Sequence, residues 1–278
     1  MKIFEKKSDL INYLKTPVAS RGFVPTMGAL HQGHLALVKA SLHDNAQTVV
    51  SIFVNPTQFG NADDLAKYPR TLMSDVKMLK ELDKNIIVFY PSATDFYDGN
   101  VTSEHFDYDG LENEMEGKHR PGHFDGVGTV VKKLFEIVQP NKAYFGEKDF
   151  QQLQIIKKLV EKEKMPIDII PIPIYREDDG LAMSSRNQRL TFEHRAAAPY
   201  IYETLQKAKE LFATKSIAAV KQFVTDKIAE NPLLELEYFE IADENTLKSA
   251  TEKKVGNNYR GFIVVFAGEI RLIDNIAL

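Results

Sequence analysis

Short apolar runs alternate with amphipathic stretches over the first 176 residues. Several runs are apolar throughout, which is typical of strands covered on both faces of a sheet. The predicted strands are GFVPT at 22–26, TVVSIFV at 48–54, NIIVFYP at 85–91, KAYFG at 142–146 and IDIIPIPIY at 167–175. Between them apolar residues recur at helical spacing, as in Leu35, Val38 and Leu42. This alternation predicts an α/β fold with a parallel sheet and right-handed crossovers.

The pattern changes after residue 176. Two consecutive helices are predicted over 191–212 and 216–230, with Thr191 and Ser216 as N-caps. The predicted strands that follow are 236–243, 262–268 and 269–274, the last two paired through Ala267-Gly268. We therefore predict a Rossmann-like parallel-sheet domain over 1–176 and a smaller C-terminal α+β domain over 177–278, joined by the polar stretch REDDG at 176–180.

Composition narrows the possible functions. The 278 residues carry a net charge of −4, so the chain as a whole lacks the basic excess of a nucleic-acid-binding protein. The absence of cysteine excludes disulfides, thiolate catalysis and Cys-ligated zinc. No apolar run approaches the roughly 18 residues of a membrane helix, and MKIFEKKSDL does not resemble a secretion signal. We expect a cytoplasmic location, with neither nucleic acid nor membrane as a partner.

The first candidate site is PTMGALHQGH at 25–34, directly after the first of the predicted strands. A glycine-bearing turn between a strand and a helix start presents free N–H groups and the positive end of the helix dipole, which suits an anion. Two histidines three residues apart, His31 and His34, can add side-chain donors. Open α/β sheets bind ligands at such strand ends. Ordinary loop histidines beside turn glycines are the alternative interpretation.

The second candidate follows the next predicted strand, in FVNPTQF at 53–59. Asn55 and Gln58 are neutral and can both donate and accept hydrogen bonds, which suits a small hydroxylated acid. A polar loop with a proline turn is the alternative, and the motif alone favours it.

The third candidate, GEKDFQQ at 146–152, lies between a predicted strand and helix. Lys148 suits a phosphate and Asp149 a ribose hydroxyl. Gln152 stands about one helical turn after Asp149, so both can face one cleft. A capped helix start, with Asp149 serving the helix dipole, explains the same residues equally well.

Two further glycine-bearing loops carry cations. GLAMSSRN at 180–187 combines two hydroxyls with a guanidinium, which fits closure over phosphates or a simple solvated loop. EGKHRPGHF at 116–124 fits either an active-site flap or a connector. The sequence contains no H-E-x-x-H zinc motif, Walker-type phosphate loop or G-x-S-x-G elbow.

Taken together, these segments closely resemble the pantothenate synthetase (pantoate–β-alanine ligase) family of the HIGH-motif nucleotidyltransferase superfamily. The matching segments, in the order of the family, are PTMGALHQGH, FVNPTQF, YPRT at 68–71, EGKHRPGHFDGV, GEKDFQQL and DGLAMSSRN. LEYFEIAD at 236–243 extends the resemblance into the second domain. H-x-G-H alone is a weak signal, whereas the joint presence of the others is highly specific.

The resemblance implies a reaction in two steps. ATP and (R)-pantoate first give pantoyl adenylate and pyrophosphate, and β-alanine then attacks the adenylate to give pantothenate and AMP. Adenylation supplies the leaving group that a carboxylate lacks. Negative charge concentrates on the phosphates in the first step, so the site needs many hydrogen-bond donors.

The resemblance also implies a role for each matching residue. His34, His31, Lys148 and Arg186 take catalytic positions. The implied ATP-binding residues are Met27, Gly28, Ala29, Leu30, His31, Gln32, Gly33, His34, Gly146, Glu147, Lys148, Asp149, Tyr175, Met183, Ser184, Ser185 and Arg186. The implied pantoate-binding residues are Gln58, Gln152 and Asn55, with Gln58 also near β-alanine.

The family further implies Mg²⁺ on the phosphates, with Asp75 on the metal side, and a homodimer formed through the first domain. Ser74, beside Asp75, replaces an acid found in some relatives. Tyr175 stands where many relatives carry a smaller residue that contacts adenine through its backbone. We also expect the second domain to close through 176–187 when substrates bind.

Two other functions compete with this interpretation. A nucleotidyltransferase acting on a phosphorylated substrate would carry basic groups where Asn55, Gln58 and Gln152 stand. A non-catalytic nucleotide sensor would not need both histidines together with the Ser-Ser-Arg loop. The neutral glutamines favour a small hydroxy acid as the substrate.

Overall fold

The computed structural model describes residues 1–59 and 62–278, which form two compact units. The first unit contains residues 1–147 and 152–173, and the second contains 148–151 and 174–278. The division between Pro173 and Ile174 lies close to the boundary predicted at 176/177. No sequence pattern indicated that Lys148–Gln151 groups with the second unit.

A parallel sheet of six strands forms the centre of the first unit, in the order β1-β4-β3-β2-β5-β6. The strands are β1 (Lys2–Phe4), β2 (Arg21–Thr26), β3 (Gln47–Ile52), β4 (Ile87–Phe89), β5 (Lys142–Gly146) and β6 (Asp168–Ile172). Along the chain, the strands after β2 first extend the sheet on one side and then on the other. The topological switch therefore lies between β2 and β5, where open α/β sheets bind ligands.

Helices cover both faces of this sheet. They are α1 (Lys7–Leu14), α2 (Gln32–Asp44), α3 (Ala62–Lys67), α4 (Leu72–Leu82), α5 (Ala93–Phe96), α6 (Met115–His119), α7 (His123–Val138) and α8 (Phe150–Lys162). Val24 of β2 packs in one core with Val38 of α2. The adjacent Phe23 meets Phe135 of α7 edge to face, with ring centroids 6.2 Å apart. Adjacent strand residues point to opposite faces, so each face has its own helical layer.

The five strands predicted for the first domain are all present, because buried apolar runs of that length have a clear local signal. β1 was not predicted. It is only three residues long, lies at the edge of the sheet, and leaves Lys2 and Ile3 exposed. Such a strand has too few apolar positions to be recognised from its pattern.

The second unit packs helices against a three-stranded antiparallel sheet in the order β7-β8-β9. Its elements are α9 (Phe192–Ala197), α10 (Tyr200–Phe212), α11 (Ile217–Ala229), β7 (Leu234–Asp243), β8 (Tyr259–Ala267) and β9 (Ile270–Ala277). Its core contains fully buried Leu205, Val224 and Ile241, from helices and sheet alike. Burial of each such side chain contributes about 1.5–3 kcal/mol.

Two predicted boundaries in this unit differ in detail. The predicted helix over 191–212 is split into α9 and α10 at Ala198-Pro199, because proline has no N–H to continue the hydrogen-bond ladder. The predicted N-caps are confirmed, since Thr191 accepts from His194 N and Ser216 accepts from Ala219 N. The hairpin between β8 and β9 turns at Gly268-Glu269, where Gly268 has a φ of 62°.

Candidate active site

Three of the predicted motifs follow the carboxyl ends of neighbouring parallel strands. The loop 27–31 follows β2, residues 53–59 follow β3, and α8 with Gln152 comes after β5. Because β3, β2 and β5 are adjacent in the sheet, these segments leave it at one edge. This edge includes the topological switch between β2 and β5.

The loop after β2 has a left-handed backbone at two consecutive residues. Gly28 has a φ of 84° and Ala29 a φ of 49°. A Cβ on Gly28 would lie 3.0 Å from Ile52 Cγ2 and 3.1 Å from Asp75 Oδ2, so the left-handed backbone and the limited space both favour glycine. The chain then enters α2, with His31 as the N-cap residue.

Asp75 holds this loop in place. Its Oδ2 accepts from Ala29 N at 3.0 Å, and its Oδ1 accepts from Leu30 N at 2.9 Å. Thr71 Oγ1 donates to Oδ1 at 3.1 Å, and Asp75 is only 1% exposed. The N–H groups of Ala29 and Leu30, which the sequence predicted to be available to an anion, therefore donate to Asp75 instead. In the first turn of α2, the backbone N–H groups of Gln32 and Gly33 have no acceptor inside the helix.

These contacts give Asp75 a structural role in the loop, and its predicted place on the metal side stays a prediction. Both of its carboxylate oxygens already accept backbone N–H groups. Across residues 1–59 and 62–278, no three histidine or acidic side chains are grouped in a way that would hold a metal.

His31 and His34 lie against each other, with ring centroids 4.0 Å apart. The backbone N–H of His31 donates to Nδ1 of His34 at 3.3 Å. A nitrogen that accepts a hydrogen bond carries no proton, so the proton of neutral His34 is on Nε2. The local fold therefore makes Nε2 of His34 a hydrogen-bond donor.

Asn55 is buried and orients Gln58. Its Nδ2 donates to Gln58 Oε1 at 3.2 Å, and its Oδ1 accepts from Tyr97 Oη at 2.6 Å. Burial raises the pKa of Tyr97, which keeps the phenol neutral and able to donate. Gln58 Nε2 donates to the sulphur of Met27 at 2.8 Å, which joins the loop after β3 to the loop after β2. Asn55 therefore supports Gln58, and its predicted contact with pantoate stays a prediction.

The segment 116–124 also reaches this site. His123 Nδ1 lies 2.9 Å from the carbonyl oxygen of Gln58, and Arg120 Nη2 donates to the same oxygen at 3.3 Å. Gly126 approaches so closely that a Cβ there would lie 2.3 Å from the carbonyl oxygen of Thr57. No pattern in the sequence singles out Tyr97, whereas the glycine and cation content of 116–124 indicates either a flap or a connector.

Of the remaining predicted residues, Gly146 and Glu147 belong to the first unit, and the second unit carries Lys148, Asp149, Tyr175, Met183, Ser184, Ser185 and Arg186. Ser184 caps the 3₁₀ turn Ser185–Arg189 and accepts from Arg186 N at 3.3 Å. Met183 N donates to the carbonyl of Tyr175 at 3.0 Å, so this carbonyl stabilises the loop itself. Lys148 Nζ lies 3.7 Å from Asp149 Oδ2. The side chain of Tyr175 is 44% exposed.

No helix in the described part of the chain has the length and apolar character needed to cross a membrane.

The family model described as pantoate-beta-alanine ligase matches residues 2–277. Among curated relatives, the pantothenate synthetase of Flavobacterium psychrophilum is 58% identical, and that of Christiangramia forsetii is 53% identical. The alignments cover all of this chain and 100% and 99% of those proteins.

Solved structures of the same kind are also similar. Pantothenate synthetase from Thermus thermophilus has a TM-score of 0.92 and 38% identity, with 99% of both chains covered. Pantoate-beta-alanine ligase from Francisella tularensis, complexed with beta-gamma ATP and beta-alanine, has a TM-score of 0.80 and 36% identity. That match covers 100% of this chain and 97% of the other.

Proposed function

Because the chain belongs to the pantoate–β-alanine ligase family, we propose that it catalyses the ATP-dependent condensation of (R)-pantoate with β-alanine. The carboxylate of pantoate attacks the α-phosphorus of ATP, and pyrophosphate leaves. The amine of β-alanine then attacks the acyl carbon of the adenylate, loses a proton and expels AMP. The products are pantothenate, AMP and pyrophosphate.

The orientation of Gln58 is the observation that carries this assignment. Asn55 donates to the side-chain amide oxygen of Gln58, and the amide nitrogen of Gln58 donates to the sulphur of Met27. The backbone carbonyl of Gln58 accepts from Arg120. A fixed neutral amide beside the His31–His34 loop suits the hydroxyl and carboxylate groups of a small acid. A phosphorylated substrate would call for a cation at this position.

Phosphate stabilisation in the first step falls to the start of α2. The Nε2–H of His34 and the N–H groups of Gln32 and Gly33 are donors suited to the oxygens of ATP. Charge moves onto the leaving pyrophosphate in the transition state, so donors fixed in advance lower the barrier. Gln152, in α8, is the second amide proposed for pantoate.

The second unit supplies the cations of the proposed mechanism. We assign Lys148 and Arg186 to the phosphates, assisted by Ser184 and Ser185, and Asp149 to a ribose hydroxyl. Mg²⁺ would accompany ATP through its phosphate oxygens, a binding mode typical of this ion. A homodimer and a cytoplasmic location complete the proposal, on the family resemblance alone.

Isotope exchange between pyrophosphate and ATP tests the first step directly. We expect labelled pyrophosphate to enter ATP when pantoate is present, without β-alanine. His34→Ala should slow the exchange by roughly ten- to a thousandfold, because it removes a donor to the phosphates. His43→Ala is the matched control, since His43 lies in the last turn of the same helix with its side chain 87% exposed.

The same assay separates the alternatives. Exchange that does not need pantoate would indicate a different acceptor and would contradict the assignment of Gln58. No exchange with any carboxylate, despite ATP binding, would indicate a nucleotide sensor. A His34→Ala enzyme with the exchange rate of the wild type would remove His34 from the mechanism.

A further inference from the structure

Strand β9 carries two adjacent buried polar residues, Asp274 and Asn275, which are 5% and 2% exposed. Burial of polar side chains costs free energy unless each finds hydrogen-bond partners. Both residues find hydrogen-bond partners, and those described below belong to the second unit. These partners connect β9 to two segments that carry proposed ATP-binding residues.

Asn275 contacts the backbone of Lys148. Its Nδ2 donates to the carbonyl oxygen of Lys148 at 2.9 Å, and its Oδ1 accepts from Arg260 Nη1 at 2.6 Å. A guanidinium can only donate and a carbonyl can only accept. The two partners therefore fix which end of the amide faces which group, and only asparagine satisfies both at this length.

Arg260 is itself held firmly. Its Nε donates to Glu244 Oε1 at 2.8 Å, and its guanidinium lies 4.0 Å from the ring centroid of Phe150. Phe150 also packs on Phe262 of β8, with centroids 6.0 Å apart. These contacts explain why Lys148–Gln151 groups with the second unit although it lies far from the rest of that unit in sequence.

Asp274 fixes the second segment in a similar way. Its carboxylate accepts from both Nη1 and Nη2 of Arg176, at 2.6 and 3.0 Å, and from the backbone N–H of Asn275 at 2.7 Å. Arg176 Nη1 also donates to the carbonyl of Gly180 at 3.1 Å. The pair thus stabilises the start of the loop that leads to Ser184–Arg186.

We propose that Asn275 is a positioning residue for Lys148, which fixes the backbone from which the lysine side chain extends toward the phosphates of ATP. The proposal rests on the proposed function of Lys148. Holding the peptide in advance reduces the ordering that phosphate binding would otherwise require. Loss of this contact lets Lys148 move, and displacements of about 1 Å cost as much as a hundredfold in rate.

A double-mutant cycle on pantoate-dependent pyrophosphate exchange tests this proposal. We expect Asn275→Ala to slow the exchange by roughly ten- to a hundredfold, because the carbonyl of Lys148 loses the hydrogen bond from the Asn275 side chain. In a Lys148→Ala background the same substitution should cause little further loss, since residues that act through one another are not additive. Asn275→Asp keeps an acceptor for Arg260 and replaces the donor by a charged oxygen that faces the carbonyl of Lys148, so it serves as the second variant if Asn275→Ala does not fold.

Leu272→Ala is the matched control for a purely structural effect. Leu272 lies in the same strand and in the core of the second unit. It should lower the melting temperature at least as much as Asn275→Ala while leaving the exchange rate at 25 °C nearly unchanged. A slow Leu272→Ala enzyme would contradict the proposal, because stability alone would then control the rate.

Two results overturn the proposal in distinguishable ways. If Asn275→Ala slows the exchange equally with and without Lys148, Asn275 acts elsewhere, while the proposed function stands. If Lys148→Ala alone exchanges at the rate of the wild type, the role of Lys148 fails and that of Asn275 fails with it. Activity of the wild-type enzyme in the same assay reports separately on the proposed function.

Discussion

A carboxylate that is only 1% exposed needs compensation from its surroundings, and Asp75 obtains it from Ala29 N, Leu30 N and Thr71 Oγ1. At the residue scale, this acid stabilises the left-handed turn in front of His31. Removing one partner from a buried charged hydrogen bond costs more than the bond contributes, because the remaining groups stay desolvated. Asp75 is therefore important for loop geometry.

Asp75→Asn should lower the free energy of unfolding by about 2 kcal/mol, because an amide nitrogen would face a backbone N–H. It should also slow pantoate-dependent adenylation while leaving the Mg²⁺ concentration for half-maximal activity unchanged. Chemical denaturation and a Mg²⁺ titration measure the two effects. Thr71→Val removes one of the three hydrogen bonds and should give a smaller loss of about 1 kcal/mol.

Rescue of the Asp75→Asn enzyme by high Mg²⁺ would contradict this account. In that case Asp75 would act on the metal, as the family resemblance alone implied, and the two N–H contacts would be secondary.

At the scale of elements, helix α7 positions the 3₁₀ turn Pro56–Gln58. The carbonyl of Gly126 accepts from Asn55 Nδ2 at 3.3 Å, and the missing side chain of Gly126 lets the helix approach the carbonyl of Thr57. A Cβ on Gly128 would also be too close to a neighbour, but that neighbour is the hydroxyl of Tyr108 rather than the 3₁₀ turn Pro56–Gln58. The two glycines of one helix therefore have separable roles.

Gly126→Ala should raise the KM for pantoate several-fold and leave the KM for ATP nearly unchanged. Alanine stabilises a helix by about 1 kcal/mol relative to glycine. At position 126, however, its Cβ would displace the 3₁₀ turn that carries Gln58. Gly128→Ala is the control and should lower stability without this selective effect on pantoate. Equal KM values for Gly126→Ala and the wild type would show that α7 does not set the position of Gln58.

The strands and the helix faces were predictable from sequence because their apolar periods are local. The same reasoning missed the short edge strand β1 and the break at Pro199 between α9 and α10. The contacts of Asp75 with Leu30 and of Asn275 with Lys148 join residues 45 and 127 positions apart. No local pattern encodes such pairings, so the motif residues were identifiable while their supporting residues were not.

At the scale of the whole molecule, the two units divide the proposed chemistry. His31, His34, Gln58 and Gln152 belong to the first unit, and Lys148 and Arg186 belong to the second. The unit boundary between Pro173 and Ile174 lies just before the segment 176–187, whose expected closure remains a prediction.

Limited proteolysis tests the response of that segment. ATP with pantoate should slow tryptic cleavage within 176–189, because bound phosphates would order Ser184–Arg186. Cleavage at Lys253 and Lys254, in an exposed turn of the second unit, provides an internal control and should keep its rate. Equal cleavage of 176–189 with and without the ligands would argue against closure.

The most direct test of the central claim is to incubate the protein with ATP, (R)-pantoate and β-alanine and to quantify AMP and pantothenate. We predict one AMP for each pantothenate, and no AMP above background when pantoate is omitted. Formation of ADP in place of AMP, or AMP formation that does not depend on pantoate, would contradict the account.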